Sequence, residues 1–134
     1  MKNKISEAEY FGIEFAGYKD DDAIEKLLQE QQGHIKNAFY RNELGGICLV
    51  WGDGNGGLSH TITRRDNDLK NGKSSIGGIE MVRKIPTIIN NGEFSIDDKD
   101  RAKIEYGIYR VGIGVKFYDH KMNWVVTAME ITDK

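Results

Sequence analysis

The sequence predicts an α+β fold, with N-terminal helices packed on a C-terminal antiparallel sheet. Two observations carry the class. Apolar residues recur at helical spacing in two segments of the first two thirds, Ala23, Ile24, Leu27, Leu28 and Ile79, Val82, Ile85, Ile88, Ile89. The last third then changes to a period of two, rich in Val, Ile and aromatics. A third observation bounds the whole: 134 residues with 39% hydrophobic content suffice for one core without staples. We expect a single domain over 1–134, with an N-terminal extension over 1–19 and a core over 20–131.

In chain order, 10–15 alternates weakly and is expected to be extended. Asp20, Asp21 and Asp22 supply an N-cap and first-turn acids that suit the positive end of a helix, and Gly33 supplies a stop, which predicts a helix over 21–32. Strands are expected over 34–40 and 47–51, joined through the turn 42–46. A short helix is expected over 58–65, then a loop over 66–75 that carries Lys70 and Lys73. The next helical pattern covers 75–91 and ends at Asn91 and Gly92. Pro86 inside it removes an amide donor, so a kink or break is expected near Lys84. A turn region over 93–100 follows. Strands over 101–106, 109–118 and 124–131 then form a three-stranded meander, with a hairpin loop over 119–123.

Composition excludes several functions. No apolar run approaches the ~20 residues of a membrane span, and the first residues lack the apolar stretch of a secretion signal, so no membrane association is expected. The single cysteine, Cys48, sits in an apolar run and reads as a small core residue. Net charge is −2. Residues 1–45 hold six basic and nine acidic side chains, whereas 60–90 hold six basic and three acidic. A polyanion site therefore belongs in the middle third.

The candidate chemistry lies in 45–65. An apolar strand leads into Gly-Asp-Gly-Asn-Gly-Gly over 52–57, and then into Leu-Ser-His-Thr-Ile-Thr-Arg-Arg. Leu58 and Ile62 are four apart and face inward together. His60 and Arg64 are also four apart and share the neighbouring face. The three histidines, His34, His60 and His120, are too far apart for a usual zinc cluster, and the glycine loop has neither EF-hand spacing nor a Walker lysine. No metal and no cofactor are expected.

What remains is acid–base chemistry on a phosphodiester. RNA supplies its own nucleophile, the 2′-hydroxyl; a protein must add a base, an acid and donors for the charged phosphorane. His60 suits either proton role, because imidazole changes charge near neutral pH. Arg64 or Arg65 can neutralise phosphate by bidentate hydrogen bonds. Thr127 can donate a hydroxyl from the strand Trp124-Val-Val-Thr-Ala-Met-Glu. Strict alternation places it on the face of Val125 and Met129, opposite Trp124, Val126, Ala128 and Glu130. Each also has a structural alternative, as a solvated helix residue or an ordinary strand threonine. His34, His120 and Glu130 favour that alternative. Tyr40, Tyr106, Tyr109 and Tyr118 are available for base stacking.

The segments Gly33-His-Ile-Lys-Asn-Ala-Phe-Tyr, Gly46-Ile-Cys-Leu-Val-Trp-Gly, Gly57-Leu-Ser-His-Thr-Ile-Thr-Arg-Arg and Trp124-Val-Val-Thr-Ala-Met-Glu resemble the phage and mobile-element branch of the barnase–EndoU–colicin–RelE nucleases. The resemblance covers about 20–131. It implies helices packed on an antiparallel sheet and metal-independent cleavage of RNA through a 2′,3′-cyclic phosphate. It also implies a toxin module acting in the cytoplasm and delivered from another cell or carried by a phage-like element. RNA, with tRNA among the candidates, and a cognate inhibitor are the partners it implies. By position the motif histidine falls on His60, the basic residue on Arg64 or Arg65, and the strand hydroxyl on Thr127, with Arg65, Lys70 and Lys73 toward substrate. The segment after His60 holds no second histidine, which leaves its acid–base partner open; Lys73 is one candidate. A catalytically inactive RNA- or protein-binding module of the same fold is the alternative reading.

Overall fold

A computed structural model describes residues 12–53, 56–117 and 120–131. The elements are α1 (Asp20–Glu30), β1 (His34–Arg41), β2 (Gly45–Val50), α2 (Leu58–Lys70), α3 (Gly78–Arg83), α4 (Ile85–Asn91), β3 (Glu93–Asp98), β4 (Arg101–Tyr106), β5 (Tyr109–Phe117) and β6 (His120–Glu130). The strands form one six-stranded sheet in the order β1-β2-β6-β5-β4-β3. The α+β class is as the periodicities predict. The sheet is mixed rather than wholly antiparallel, because β2 meets β6 in parallel through the single register pair Cys48 and Trp124.

One face of the sheet holds the main core. Ala23, Ile24 and Leu27 of α1, Met81 and Val82 of α3, and Ile85, Ile88 and Ile89 of α4 pack there. They meet Ile47, Leu49, Ile104, Val111, Ile113 and Val125 from the strands. The other face carries a smaller cluster of Cys48, Val50, Met122, Trp124 and Val126. Cys48 is buried within it, as its apolar surroundings predict.

Three boundaries differ from the sequence pattern, each through a tertiary partner. Residues 66–70 are helical rather than loop, and Lys70 is the last residue of α2. Asp66 there accepts a hydrogen bond from Gly78 N at 2.7 Å, so it serves as a remote N-cap for α3. Residues 93–98 form the edge strand β3 rather than a turn, held by antiparallel pairing with β4. Most of β3 is exposed, so its Asp and Ser face water, as suits a sheet edge. The meander therefore has four strands, and β6 starts at His120 rather than after a loop ending at Asn123. The expectations for Tyr10, Tyr118 and Asp119 and for the side chain of His120 fall outside what is described.

Other expectations match. The helical pattern over 75–91 is divided at Lys84 into α3 and α4. Pro86 occupies the first turn of α4, where a missing N–H leaves no bond unmade. The three aspartates lie in the first turn of α1, although its N-cap is Lys19. Beside β1, Glu14 bridges His34 in parallel. Phe15 N donates to His34 O at 2.9 Å, and His34 N donates to Ile13 O at 2.8 Å.

Candidate active site

The site is built where β2 ends and β6 continues. β2 stops at Val50, so the edge of β6 from Val126 onward has lost its strand neighbour. α2 takes that place. Gly57 N donates to Val126 O at 2.9 Å, and Arg65 Nη1 donates to Ala128 O at 3.2 Å. Beyond the helix, Ser75 N donates to Glu130 Oε2 at 3.1 Å, and the Ser75 hydroxyl bonds the same oxygen. The exposed edge of β6 is thus closed by a helix start, a guanidinium and a loop serine, which satisfies groups that burial would otherwise penalise.

This docking sets the orientation of α2. Leu58 and Ile62 pack toward the main core, and Thr61 and Arg65 are buried against β6. With 3.6 residues per turn, the row that follows Thr61 and Arg65 around the helix is His60 and Arg64. That row lies off the packed side of α2, and Arg64 lines a groove with Thr63, Asp66, Asn67 and Lys70. His60 is half-buried and Arg64 exposed.

Thr127 points to the second face of the sheet. β5 pairs Gly112 with Thr127 but Ile113 with Val125, so Val126 is an extra residue and β6 bulges there. The bulge corrects the face expected from strict alternation. Val125 and Ala128 lie in the main core, Trp124 and Val126 lie in the second cluster, and Thr127 stands beside the latter. Thr127 Oγ1 is 3.5 Å from Thr61 Oγ1. Thr61 donates its only hydroxyl hydrogen to Gly57 O at 3.0 Å. The contact between the two hydroxyls is long for an O–H···O bond, so Thr127 keeps its hydrogen available to a ligand.

Asp53 N donates to Gly56 O at 3.1 Å beside this corner. Gly56 lies on the Trp124 ring, where a Cβ would sit 2.8 Å from Cη2. Trp124 Nε1 in turn donates to Lys116 O at 3.3 Å.

The remaining sequence candidates separate. Arg65, expected toward substrate, has a side chain only 7% exposed, with Nε 3.2 Å from Asp68 Oδ2. Burial pushes its guanidinium below the ordinary arginine value. Asp68 works against that shift and Arg64 works with it. It stays protonated, as arginine does. Arg65→Ala is expected to cost about 2–4 kcal/mol by orphaning the Ala128 carbonyl and Asp68. An unfolding free energy from denaturant titration within about 0.5 kcal/mol of the parent would contradict that. Lys70 shares a groove on the outer side of α2 with Thr63, Arg64, Asp66 and Asn67. It lies about 15 Å along the helix from His60 at ~1.5 Å per residue. Lys73 is exposed beyond that end. Neither lysine comes to the His60 corner. Tyr109 packs on the core with Lys84 over its ring, and Tyr40 and Tyr106 are exposed. Among the described residues, no group of three or more His, Cys, Asp or Glu is placed to hold a metal ion. Among the same residues, no helix is long and apolar enough to cross a membrane.

Sequence reasoning missed the role of Arg65 and the bulge. A signal for the first was present, since Arg65 lies on the inward row with Leu58, Thr61 and Ile62. The bulge has no local signal, because it depends on the register with β5.

Comparison with curated proteins and with solved structures finds no match. A family model described as phage-Barnase-EndoU-ColicinE5/D-RelE like nuclease 1 matches residues 38–134. The match starts within β1 and takes in both sides of the corner, α2 and β6, while α1 lies ahead of it. The chain thus belongs to the phage-Barnase-EndoU-ColicinE5/D-RelE like nucleases, and a nuclease-like function goes with that membership.

Proposed function

We propose that this protein is a metal-independent endoribonuclease that cleaves RNA by 2′-hydroxyl attack and leaves a 2′,3′-cyclic phosphate. One observation supports the reading: α2 is fastened along β6, and Thr61, the neighbour of His60 in the helix, lies 3.5 Å from the Thr127 hydroxyl. His60 is a proton carrier for the 2′-hydroxyl or the leaving 5′-oxygen. Arg64 offers bidentate charge to the phosphate, and Thr127 donates to a non-bridging oxygen. Arg65 acts through position rather than contact, by holding α2 against β6. Lys70, with Lys73 beyond it, suits more distant parts of a long polyanion rather than the scissile phosphate.

Within this reading the protein acts as a toxin on cytoplasmic RNA, tRNA among the candidates, and is restrained by a cognate inhibitor. The test is digestion of total RNA by purified protein, with and without EDTA, followed by analysis of the ends. Cleavage that persists in EDTA and yields cyclic-phosphate ends supports the reading. Intact RNA at high protein concentration, or 5′-phosphate products that vanish in chelator, would overturn it. Unrestrained expression in bacteria is expected to arrest growth in the parent and not in a His60→Ala variant.

A further inference from the structure

A groove opens where the first halves of β1, β2 and β6 come together, away from the segment that holds His60. It has a volume of about 390 Å³ and is lined by Lys36 and Asn37 of β1, Gly46 and Cys48 of β2, and Lys121 and Asn123 of β6. That volume falls within the ~300–1,000 Å³ of small-ligand sites. Cys48 belongs to the apolar cluster of the second face, with Trp124 and Val126. Thr127 follows directly after Val126 and points to that face, so the groove and the Thr127 corner share it. Asn123 and Thr127 are four residues apart on β6, about 13 Å at ~3.3 Å per residue. A single strand of nucleic acid laid along β6 covers both.

A bulge shapes the groove. β1 and β2 shift register between Ile35 and Phe39. Asn37 takes φ +53 there, a left-handed conformation that asparagine tolerates better than most residues. Its carboxamide folds over Gly46, where a Cβ would overlap Asn37 Oδ1. Lys19 Nζ donates to Asn37 O at 2.9 Å and pins the bulge. Asn123 Nδ2 donates to Leu44 O at 2.8 Å and to Gly46 O at 3.1 Å. Both amide hydrogens are thereby used, and Asn123 Oδ1 is left as an acceptor. Tyr40 is the register partner of Gly46 and so stands on the same face beside the groove. It is 66% exposed.

The charges are one-sided. Lys36 and Lys121 are exposed, and among the described residues that line the groove none is acidic. Lys116 of β5 is paired directly with Lys121 and is exposed as well. Like charges directly opposite each other cost stability, and a bound anion relieves that cost. Glu43, on the adjoining turn, is already engaged by Arg41 at 2.9 and 2.8 Å. Clustered ammonium groups, carboxamide edges and an exposed aromatic ring are the parts that hold a nucleotide of a single strand.

We propose that this groove is a subsite for a nucleotide that flanks the cleaved one in single-stranded RNA. Lys36 and Lys121 contact its phosphate, the Asn37 and Asn123 carboxamides meet the edge of its base, and Tyr40 stacks on the base. The proposal rests on the nuclease reading for its substrate, but the subsite is testable without catalysis. The probe is a labelled single-stranded 2′-O-methyl RNA, which carries phosphates and bases and lacks the free nucleophile.

The double variant Lys36→Ala, Lys121→Ala is expected to weaken binding of that probe by about 10- to 100-fold. It is also expected to lower the slope of log affinity against log salt by about 1.4, at ~0.7 per single-strand phosphate contact. Tyr40→Ala is expected to lose about 5- to 100-fold, the range for one stacked base, and Tyr40→Phe to keep the parent affinity. Asn37→Gly accepts the left-handed backbone and removes only the carboxamide, for a loss of about 2- to 10-fold. Circular dichroism and the urea midpoint should stay those of the parent in all of these. Parent affinity and salt slope in the double lysine variant would overturn the subsite. Displacement of the probe by poly-glutamate at equal charge, with Tyr40→Ala binding like the parent, would overturn it in favour of an acidic protein partner. If the parent cleaves RNA and the double variant changes neither probe affinity nor KM, the subsite fails while the nuclease reading stands. If the parent cleaves nothing yet binds the probe through these lysines and Tyr40, the subsite stands and the nuclease reading fails.

Discussion

His60→Ala is expected to lower RNA cleavage by about 10²- to 10⁴-fold, the usual contribution of a positioned acid or base. The loss should appear in kcat, with KM for RNA changed little, because the phosphate contacts assigned to Arg64 and Thr127 survive. Folding should survive too. His60 is half-buried on the flank of α2, outside the row that packs on β6, and substitutions at such positions usually shift stability by under about 0.5 kcal/mol. Added imidazole should restore part of the rate, which a purely structural role would not permit. Undiminished cleavage by a folded His60→Ala protein would remove His60 from the chemistry, and with it the assignment of this corner as the active site.

The second large effect is structural. Gly57→Ala is expected to cost about 2–5 kcal/mol of stability, combining backbone strain with overpacking. Gly57 precedes α2 with φ +98 and ψ −171, a region essentially reserved for glycine. A Cβ there would lie 2.8 Å from both the Trp51 and Val50 carbonyl oxygens. These backbone atoms cannot swing aside as a long side chain would. The same residue holds both halves of the corner: its N–H bonds Val126 and its carbonyl accepts from Thr61. Cleavage by the fraction that remains folded should therefore also fall, as α2 shifts against Thr127. Urea unfolding measures the first effect, and assays well below the unfolding midpoint measure the second. A Gly57→Ala protein with the parent's midpoint and rate would show that this junction is not what seats α2.

The salt dependence of RNA binding bears on the acidic balance of the chain. Net charge is −2, which gives little general attraction for a polyanion. On the proposed reading, binding comes from a few local contacts, of which Arg64 is one. Few contacts mean a shallow loss of affinity with salt, in contrast to a strongly basic nucleic-acid binder.

Much of the candidate site was legible in 45–65. A strand, a glycine loop and a helix with His60 and Arg64 four apart follow from spacing, and the strand and the helix are present. The sequence pattern ends this helix at Arg65, because 66–75, with Asn67, Asn71, Gly72 and two serines, has neither helix nor strand period. The structure continues the helix to Lys70, and Asp66 also caps α3. The Asp- and Ser-rich segment after Gly92 was read as a turn for a similar reason, and pairing with β4 overrides it. The break near Lys84 was legible because proline acts on its own turn, whatever lies around it.

The sequence by itself determined the kind of most elements, β3 excepted, and the α+β class, because periods of 3.6 and 2 are written locally along the chain. Only the tertiary structure decided that β2 leaves β6 after one pair, that α2 with Arg65 closes the opened edge, and that a bulge at Val126 turns Thr127 to the second face of the sheet. These depend on pairings between residues 12 to 15 apart at the bulge and 63 or more apart where α2 and β2 meet β6. A one-residue change of register reverses the face of every side chain that follows, and that choice is made by packing, not by neighbours in the chain.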